Sequence, residues 1–309
     1  MEKITIIGTG TMGHSIALSV AWAEIPVTIY GLNNDEIDFA ITGIGDKATV
    51  LLENQLLDKA TFQMIQQRIH FSTDLSNATR DATIIIEAAP ENLPLKQDLF
   101  QEIETYCSKD TILASNSSSL QPTRIAQKVI HPERVLGTHF WNPAHLIPLV
   151  EIIRGEKTSD IYIEKMKSFL DKIQKQSIIV EKEVVGFVGN RLQFALLREA
   201  QHLYETGVAT LEDIDTAVEL SIGRRLGVTG PFMTADLGGL DVFKAISDYT
   251  FPDMSNRSSA FDSINNLVLE NKLGEKSGQG YYDWTLETCG EIKEEREAEL
   301  IRWLKKDQE

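Results

Sequence analysis

Basic residues are scarce in this chain: 30 Lys and Arg stand against 46 Asp and Glu, a net charge of −16. A surface of that sign repels phosphate backbones, so a nucleic-acid partner is excluded. Cysteine is scarcer still. Cys107 and Cys289 are the only two and lie far apart, which leaves neither a disulfide framework nor a cysteine-rich metal site and fits a reducing compartment. No metal is expected. No apolar run is long and uninterrupted enough for a membrane span or a signal peptide, and Met1-Glu-Lys3 leads straight into strand-forming sequence, so the expected location is the cytoplasm. Internal repeats and low-complexity tracts are absent as well.

What remains is a globular chain of 309 residues with 42% hydrophobic content, enough for one large domain or two. Its organising stretch is Ile4 to Gly13, where β-favouring residues run into Gly8, Gly10 and Gly13 and a helical pattern (Ile16, Ala17, Val20, Ala21) follows at once. Glycines so spaced on a strand-to-helix turn suit a bound dinucleotide. Gly8 permits the tight turn, Gly10 lets backbone approach a pyrophosphate, and Gly13 lets the helix lie close to the strand with its N–H groups aimed at the phosphates. The second strand, 27–30, ends where such folds usually place an acid on the adenosine ribose, but the residue there is Gly31. Lys and Arg are missing between it and Lys47, while Asp35, Glu36 and Asp38 are present, so NAD is favoured over NADP. Asn33 or Asn34 could bond the ribose instead, and an aspartate at position 31 is expected to tighten NAD binding.

Further along, two helices are expected within 35–70, strands at 69–71, 82–87, 111–114, 134–139, 148–153 and 177–180, and helices over 95–106 and 158–174. Strands alternating with helices mean a doubly wound, mainly parallel sheet, a Rossmann-type α/β domain. Ser115 to Ser119 is a polar loop at the carboxyl end of a strand, where ligands of such sheets bind. His139 and Glu151 could face each other across the turn that starts at Phe140. From Gly186 the pattern is helical only, which places a domain boundary near Val185: residues 1–185 form the NAD-binding domain and 186–309 an all-helical domain. The stretch 287–307 reads as a charged amphipathic packing helix.

These residues resemble the 3-hydroxyacyl-CoA dehydrogenase family. The likeness is carried by Gly8-Thr-Gly-Thr-Met-Gly13, Glu87-Ala-Ala-Pro-Glu91, Ser115-Asn-Ser-Ser-Ser-Leu120, His139-Phe-Trp-Asn-Pro143, Val150-Glu151, Gly186-Phe-Val-Gly-Asn-Arg191, Gly230-Pro231 and Lys276-Ser-Gly-Gln-Gly-Tyr281. It implies NAD and substrate in the interdomain cleft and a homodimer formed through the helical domain. By matching motif, His139 and Glu151 are the catalytic pair, with Ser118 and Asn190 lining the reacting centre. Gly8, Thr9, Gly10, Thr11, Met12, Gly13, Asn33, Glu91, Lys96, Asn116, Ser118, Asn142 and Lys276 fall to the cofactor. The chemistry suits these types: oxidising a secondary alcohol needs a base for the hydroxyl proton, and imidazole titrates near neutrality. A carboxylate on its other nitrogen would fix the tautomer, and hydroxyl and amide donors would face the oxygen where charge develops. His145, in the same loop, is the rival base.

The substrate is less defined. The family name implies a 3-hydroxyacyl-CoA thioester such as 3-hydroxybutyryl-CoA, and with it fatty acid metabolism. Yet residues 35–70 hold Asp35, Glu36, Asp38, Asp46, Glu53 and Asp58 against Lys47, Lys59 and Arg68, a repulsive field for the nucleotide end of CoA. The segments 144–152, 190–200 and 253–257 look more like family branches acting on CoA-free hydroxy acids or pyridine-ring carboxylates, where Arg224-Arg225 could hold a carboxylate. A third reading keeps the fold without catalysis, as a crystallin-like NADH-binding protein; the intact His139, Glu151, Ser118 and Asn190 argue against it.

Overall fold

The computed structural model describes residues 2–307 and 309. It contains two compact units, one running to Asn190 and taking back the chain from Arg296, the other Arg191–Glu295. In the first, eight strands form one sheet: β1 (Ile4–Ile7), β2 (Val27–Tyr30), β3 (Ile69–Ser72), β4 (Ile84–Glu87), β5 (Ile112–Ser115), β6 (Val135–Phe140), β7 (Leu149–Arg154) and β8 (Gln176–Val180). Their order is β3-β2-β1-β4-β5-β6-β7-β8, parallel throughout except for the antiparallel β6–β7 pair. The direction of winding reverses between β1 and β4, which opens a crevice at their carboxyl ends. Because β1, β4 and β5 are covered on both faces, all their residues are buried, and they read in sequence as continuous apolar runs rather than alternating ones.

Among the described residues, seven α-helices lie wholly in this unit: α1 (Thr11–Trp22), α2 (Asn34–Glu53), α3 (Lys59–Arg68), α4 (Leu75–Thr79), α5 (Leu93–Tyr106), α6 (Pro122–Ile125) and α7 (Asp160–Lys172). α1 is buried without interruption from Gly13 to Ala21, so it lies inside the fold and has no polar face. Asp58, Asp74 and Asn92 cap α3, α4 and α5 by accepting backbone N–H bonds. α4 goes unread in sequence because five residues are too few to display a 3.6-residue period.

The second unit is helical: α8 (Gly189–Glu205), which starts in the first unit, then α9 (Leu211–Ala217), α10 (Gly223–Leu226), α11 (Pro231–Gly238), α12 (Leu240–Thr250) and α13 (Asp262–Leu269), with α14 (Leu286–Asp307) leaving it. The last turns of α14 pack on the first unit, where Ile301 is buried in the main core. Among the described residues of Arg191–Glu295, only Ile214 and Phe261 are buried hydrophobic side chains, while Phe232 is 90%, Tyr249 87% and Phe251 68% exposed. Among the described residues, no helix is long and apolar enough to cross a membrane.

Candidate active site

The loop after β1 has the geometry that its glycines require. Gly8 adopts φ +110°, and a Cβ there would sit 2.8 Å from the carbonyl oxygen of Ala88 at the end of β4. A Cβ on Gly13 would lie 2.0 Å from the Gly8 carbonyl oxygen, so only glycine lets α1 approach the strand this closely. Gly10 is different: its Cβ would meet nothing within 4 Å, so the loop has an open side. The first N–H groups of α1, at Thr11, Met12 and Gly13, have no intrahelical acceptor by position, which makes this side a place for a pyrophosphate.

Beyond β2 the space around Gly31 is tight. A Cβ on Gly31 would meet Thr9 Cγ2 at 2.7 Å, Ile37 Cδ1 at 3.1 Å and Glu36 Cβ at 3.3 Å, so an aspartate there requires these side chains to shift. The acid at this strand end is Glu36, whose Oε2 accepts the Leu32 N–H at 2.9 Å. Asn33 spends its side-chain oxygen capping α2, accepting from the Glu36 N–H at 2.9 Å, so only its amide nitrogen remains for a ribose.

A buried ion pair organises the next two strand ends. Glu87 Oε1 lies 2.5 Å from Lys96 Nζ, its Oε2 accepts from Ser115 Oγ at 2.6 Å, and both charged residues are essentially inaccessible. Lys96 also donates to the Ala89 carbonyl at 3.0 Å and lies 3.5 Å from Glu91. Its charge is therefore committed to the protein. Glu91 accepts from the Ser117 hydroxyl and from Ser119 Oγ at 2.9 Å and Ser119 N at 3.3 Å, and so holds the loop after β5 in shape. Burial raises the pKa of Glu91, but the serine bonds and the Lys96 charge outweigh it and leave the carboxyl below its ordinary value. Asn116 joins this loop to β6, its Oδ1 accepting the Phe140 N–H at 2.9 Å.

The antiparallel β6–β7 pairing sets His139 opposite Glu151, which puts both side chains on one face of the sheet. His139 Nδ1 lies 2.7 Å from Glu151 Oε2, and His139 Nε2 lies 3.2 Å from Ser118 Oγ. An ionised carboxylate only accepts, so Nδ1 carries the proton and Nε2 presents a lone pair toward the Ser118 hydroxyl. The other carboxylate oxygen of Glu151 accepts the N–H groups of Val188 at 2.9 Å and Gly189 at 3.1 Å. Burial pushes the Glu151 pKa up, yet the bonds from His139, Gly189 and Val188 together overcome it, so the carboxyl is held below its ordinary value. Asn190 Nδ2 reaches the Ser118 carbonyl at 3.4 Å. Ser118 does not cap the following helix; α6 begins after Gln121.

Asn142 is exposed in the turn after β6, and Lys276 lies exposed in a short turn of the second unit, as do Arg224 and Arg225 on α10. His145 faces away: it is buried, its Nδ1 is 3.0 Å from Ser15 Oγ, and burial, reinforced by Lys47, Lys175 and His14, lowers its pKa to about 3. It is not a base for this centre. Sequence reasoning missed the two aromatic rings that flank His139, Trp141 at 5.4 Å and Phe187 at 5.7 Å between centroids. Both lie inside motifs already noted, but an aromatic ring among apolar neighbours reads as ordinary core. Phe187 has φ +48°, a strained conformation held by its burial, and a Cβ on Gly189 would strike Trp141 at 2.3 Å.

Comparison with known proteins accords with this arrangement. The model of the 3-hydroxyacyl-CoA dehydrogenase NAD binding domain matches residues 3–184, and that of the 3-hydroxyacyl-CoA dehydrogenase C-terminal domain matches residues 186–284. The chain is 35% identical over 301 residues to 5-formyl-3-hydroxy-2-methylpyridine 4-carboxylate 5-dehydrogenase of Mesorhizobium japonicum, covering 97% of this chain and 96% of the relative. It is 34% identical over 292 residues to the mitochondrial hydroxyacyl-coenzyme A dehydrogenase of Rattus norvegicus, covering 92% and 91%. Among solved structures, a 5-formyl-3-hydroxy-2-methylpyridine 4-carboxylic acid 5-dehydrogenase, described as an NAD+-dependent dismutase, superposes with a TM-score of 0.92 at 33% identity over 100% of this chain and 99% of that one.

Proposed function

The chain belongs to the 3-hydroxyacyl-CoA dehydrogenase family and is an NAD-dependent oxidoreductase acting on CH–OH groups; from that premise we propose that it oxidises a small hydroxy carboxylate carried free of coenzyme A, with His139 as the base. The observation that carries the substrate choice is the charge on α2 and α3. Six acids stand against three cations in residues 35–70, and two of those cations are held by neighbours, Lys47 2.9 Å from His14 and Arg68 3.3 Å from Glu24. A 3′-phosphate and a pyrophosphate would meet net repulsion on that surface. The relative of 97% coverage, named for a pyridine carboxylate, supports the same reading. The alternative, a 3-hydroxyacyl-CoA thioester, is favoured by the names of other relatives.

NAD, when bound, supplies the hydride acceptor. His139 Nε2 takes the proton of the substrate hydroxyl as the C–H bond breaks, and the imidazolium that forms is stabilised by Glu151 at its Nδ1–H. The Ser118 hydroxyl and the Asn190 amide are the donors closest to the oxygen, and in reduction they face the carbonyl. Trp141 and Phe187 shield the imidazole from water on its flanks. The test is NADH formation with 3-hydroxybutyryl-CoA beside free 3-hydroxy acids and hydroxymethylated pyridine carboxylates. The expected result is kcat/KM at least about tenfold higher on a free acid, since each 1.4 kcal/mol of lost repulsion is worth that factor. Turnover of the thioester alone refutes the proposal.

The second unit supports a homodimer. So many exposed apolar side chains around two buried ones cannot form a core unaided, and a second copy would cover them. Sedimentation velocity is expected to give twice the chain mass, 34.6 kDa, at micromolar concentration, and Phe232→Glu to shift the protein toward monomer. A wild-type monomer would exclude it.

A further inference from the structure

His14 follows the last glycine of the loop and is buried, yet it takes no part in the chemistry above. Its Nδ1 lies 3.1 Å from the carbonyl oxygen of Thr9 and its Nε2 2.9 Å from Lys47 Nζ. A carbonyl only accepts and an ammonium only donates, so the two contacts define one state: a neutral ring with Nδ1–H donating to Thr9 and Nε2 accepting from Lys47. α2 is shaped around that ring. Phe39, Gly43 and Lys47 recur every four residues and form one stripe of the helix. The Phe39 ring centroid is 5.8 Å from the imidazole, and a Cβ on Gly43 would sit 2.4 Å from the imidazole Cε1. Gly43 lies within a helix and has no positive φ, so what it provides is space for His14. Burial, and after it the charge of Lys47, lowers the pKa of His14, consistent with the neutral form.

Thr9 and Gly10 share a peptide bond inside the glycine loop. Since a trans peptide points its C=O and N–H in opposite directions, anchoring the Thr9 carbonyl on His14 turns the Gly10 N–H away from it. Gly10 is also the residue whose Cβ would meet open space. We propose that His14, held in register by Lys47, is a positioning residue for the cofactor: it locks the Thr9–Gly10 peptide so that the Gly10 N–H is presented to the NAD pyrophosphate before NAD arrives. Without this bond the loop must be ordered by the ligand, and affinity falls by the ordering cost.

The inference rests on the reading that the glycine loop holds the pyrophosphate, and the experiment separates the two. NADH Kd is measured by fluorescence titration on the full-length protein, with thermal unfolding alongside. His14→Phe fills the ring space but donates nothing, and is expected to raise Kd about tenfold, the size of one hydrogen bond with its ordering. KM for NAD should rise in parallel while kcat at saturating NAD changes by less than about twofold. His14→Asn, whose amide can replace Nδ1–H, should recover most of the affinity. Lys47→Met should raise Kd about threefold, and carries the test if His14→Phe does not fold. An unchanged Kd in His14→Phe or, failing that, in Lys47→Met, with only the melting temperature lowered, overturns the role. Gly10→Val tests the underlying reading: if it binds NADH normally the loop is not the site, whatever His14 does.

Discussion

Replacing His139 by Gln is expected to lower kcat by about three orders of magnitude, within the range of a lost general base, with NADH binding changed by less than about twofold. Gln can stay hydrogen-bonded to Glu151 and Ser118 but cannot accept a proton at the pH where imidazole does. The binding loop should be indifferent, because the contacts of the His139 ring run to Glu151, Ser118, Trp141 and Phe187 and not to Gly8–Gly13. The measurement is a pair: NADH formation by absorbance and NADH Kd by fluorescence. A variant with full turnover removes the mechanism. His145 offers no substitute, since Ser15 occupies its Nδ1 and burial keeps it neutral.

Glu151→Gln should cost about 10²–10⁴ in kcat, the scale seen when a triad carboxylate becomes an amide. One carboxylate oxygen now accepts from His139 Nδ1–H and the other from the N–H groups of Val188 and Gly189. Gln has only one accepting oxygen. If its NH₂ faces His139, the ring must flip its tautomer and Nε2 ceases to be the base; if it faces Val188 and Gly189, three donors oppose one another and about 1–3 kcal/mol of stability is lost. Stability should also respond to pH. The folded-state pKa of Glu151 lies below its ordinary value, so the carboxylate's contribution is complete above the ordinary Glu range, near pH 4.3, and is lost as pH falls through the lower folded value. Urea unfolding at pH 7 and pH 4 should therefore show a wild-type advantage over Glu151→Gln that shrinks in acid. A kcat within about threefold of wild type would mean that Glu151 neither orients nor stabilises the imidazole.

The amphipathic and apolar periods of the chain were enough to determine a doubly wound parallel sheet followed by helices, because a buried strand and a helix leave local patterns of different period. Gly8, Gly10 and Gly13 likewise announced their loop, since backbone conformation and close approach are local demands. Facing of His139 and Glu151 could be foreseen across a short turn, where two residues in one hairpin have few possible registers. Tertiary packing decided the rest: that a side chain at position 31 would crowd Thr9 and Ile37, that Asn33 is a cap and Lys96 an internal counter-ion, that Trp141 and Phe187 enclose the imidazole, and that His14 bonds a lysine 33 positions away. Those facts depend on which side chains share a volume after the helices dock, and no period or spacing along one chain carries that information.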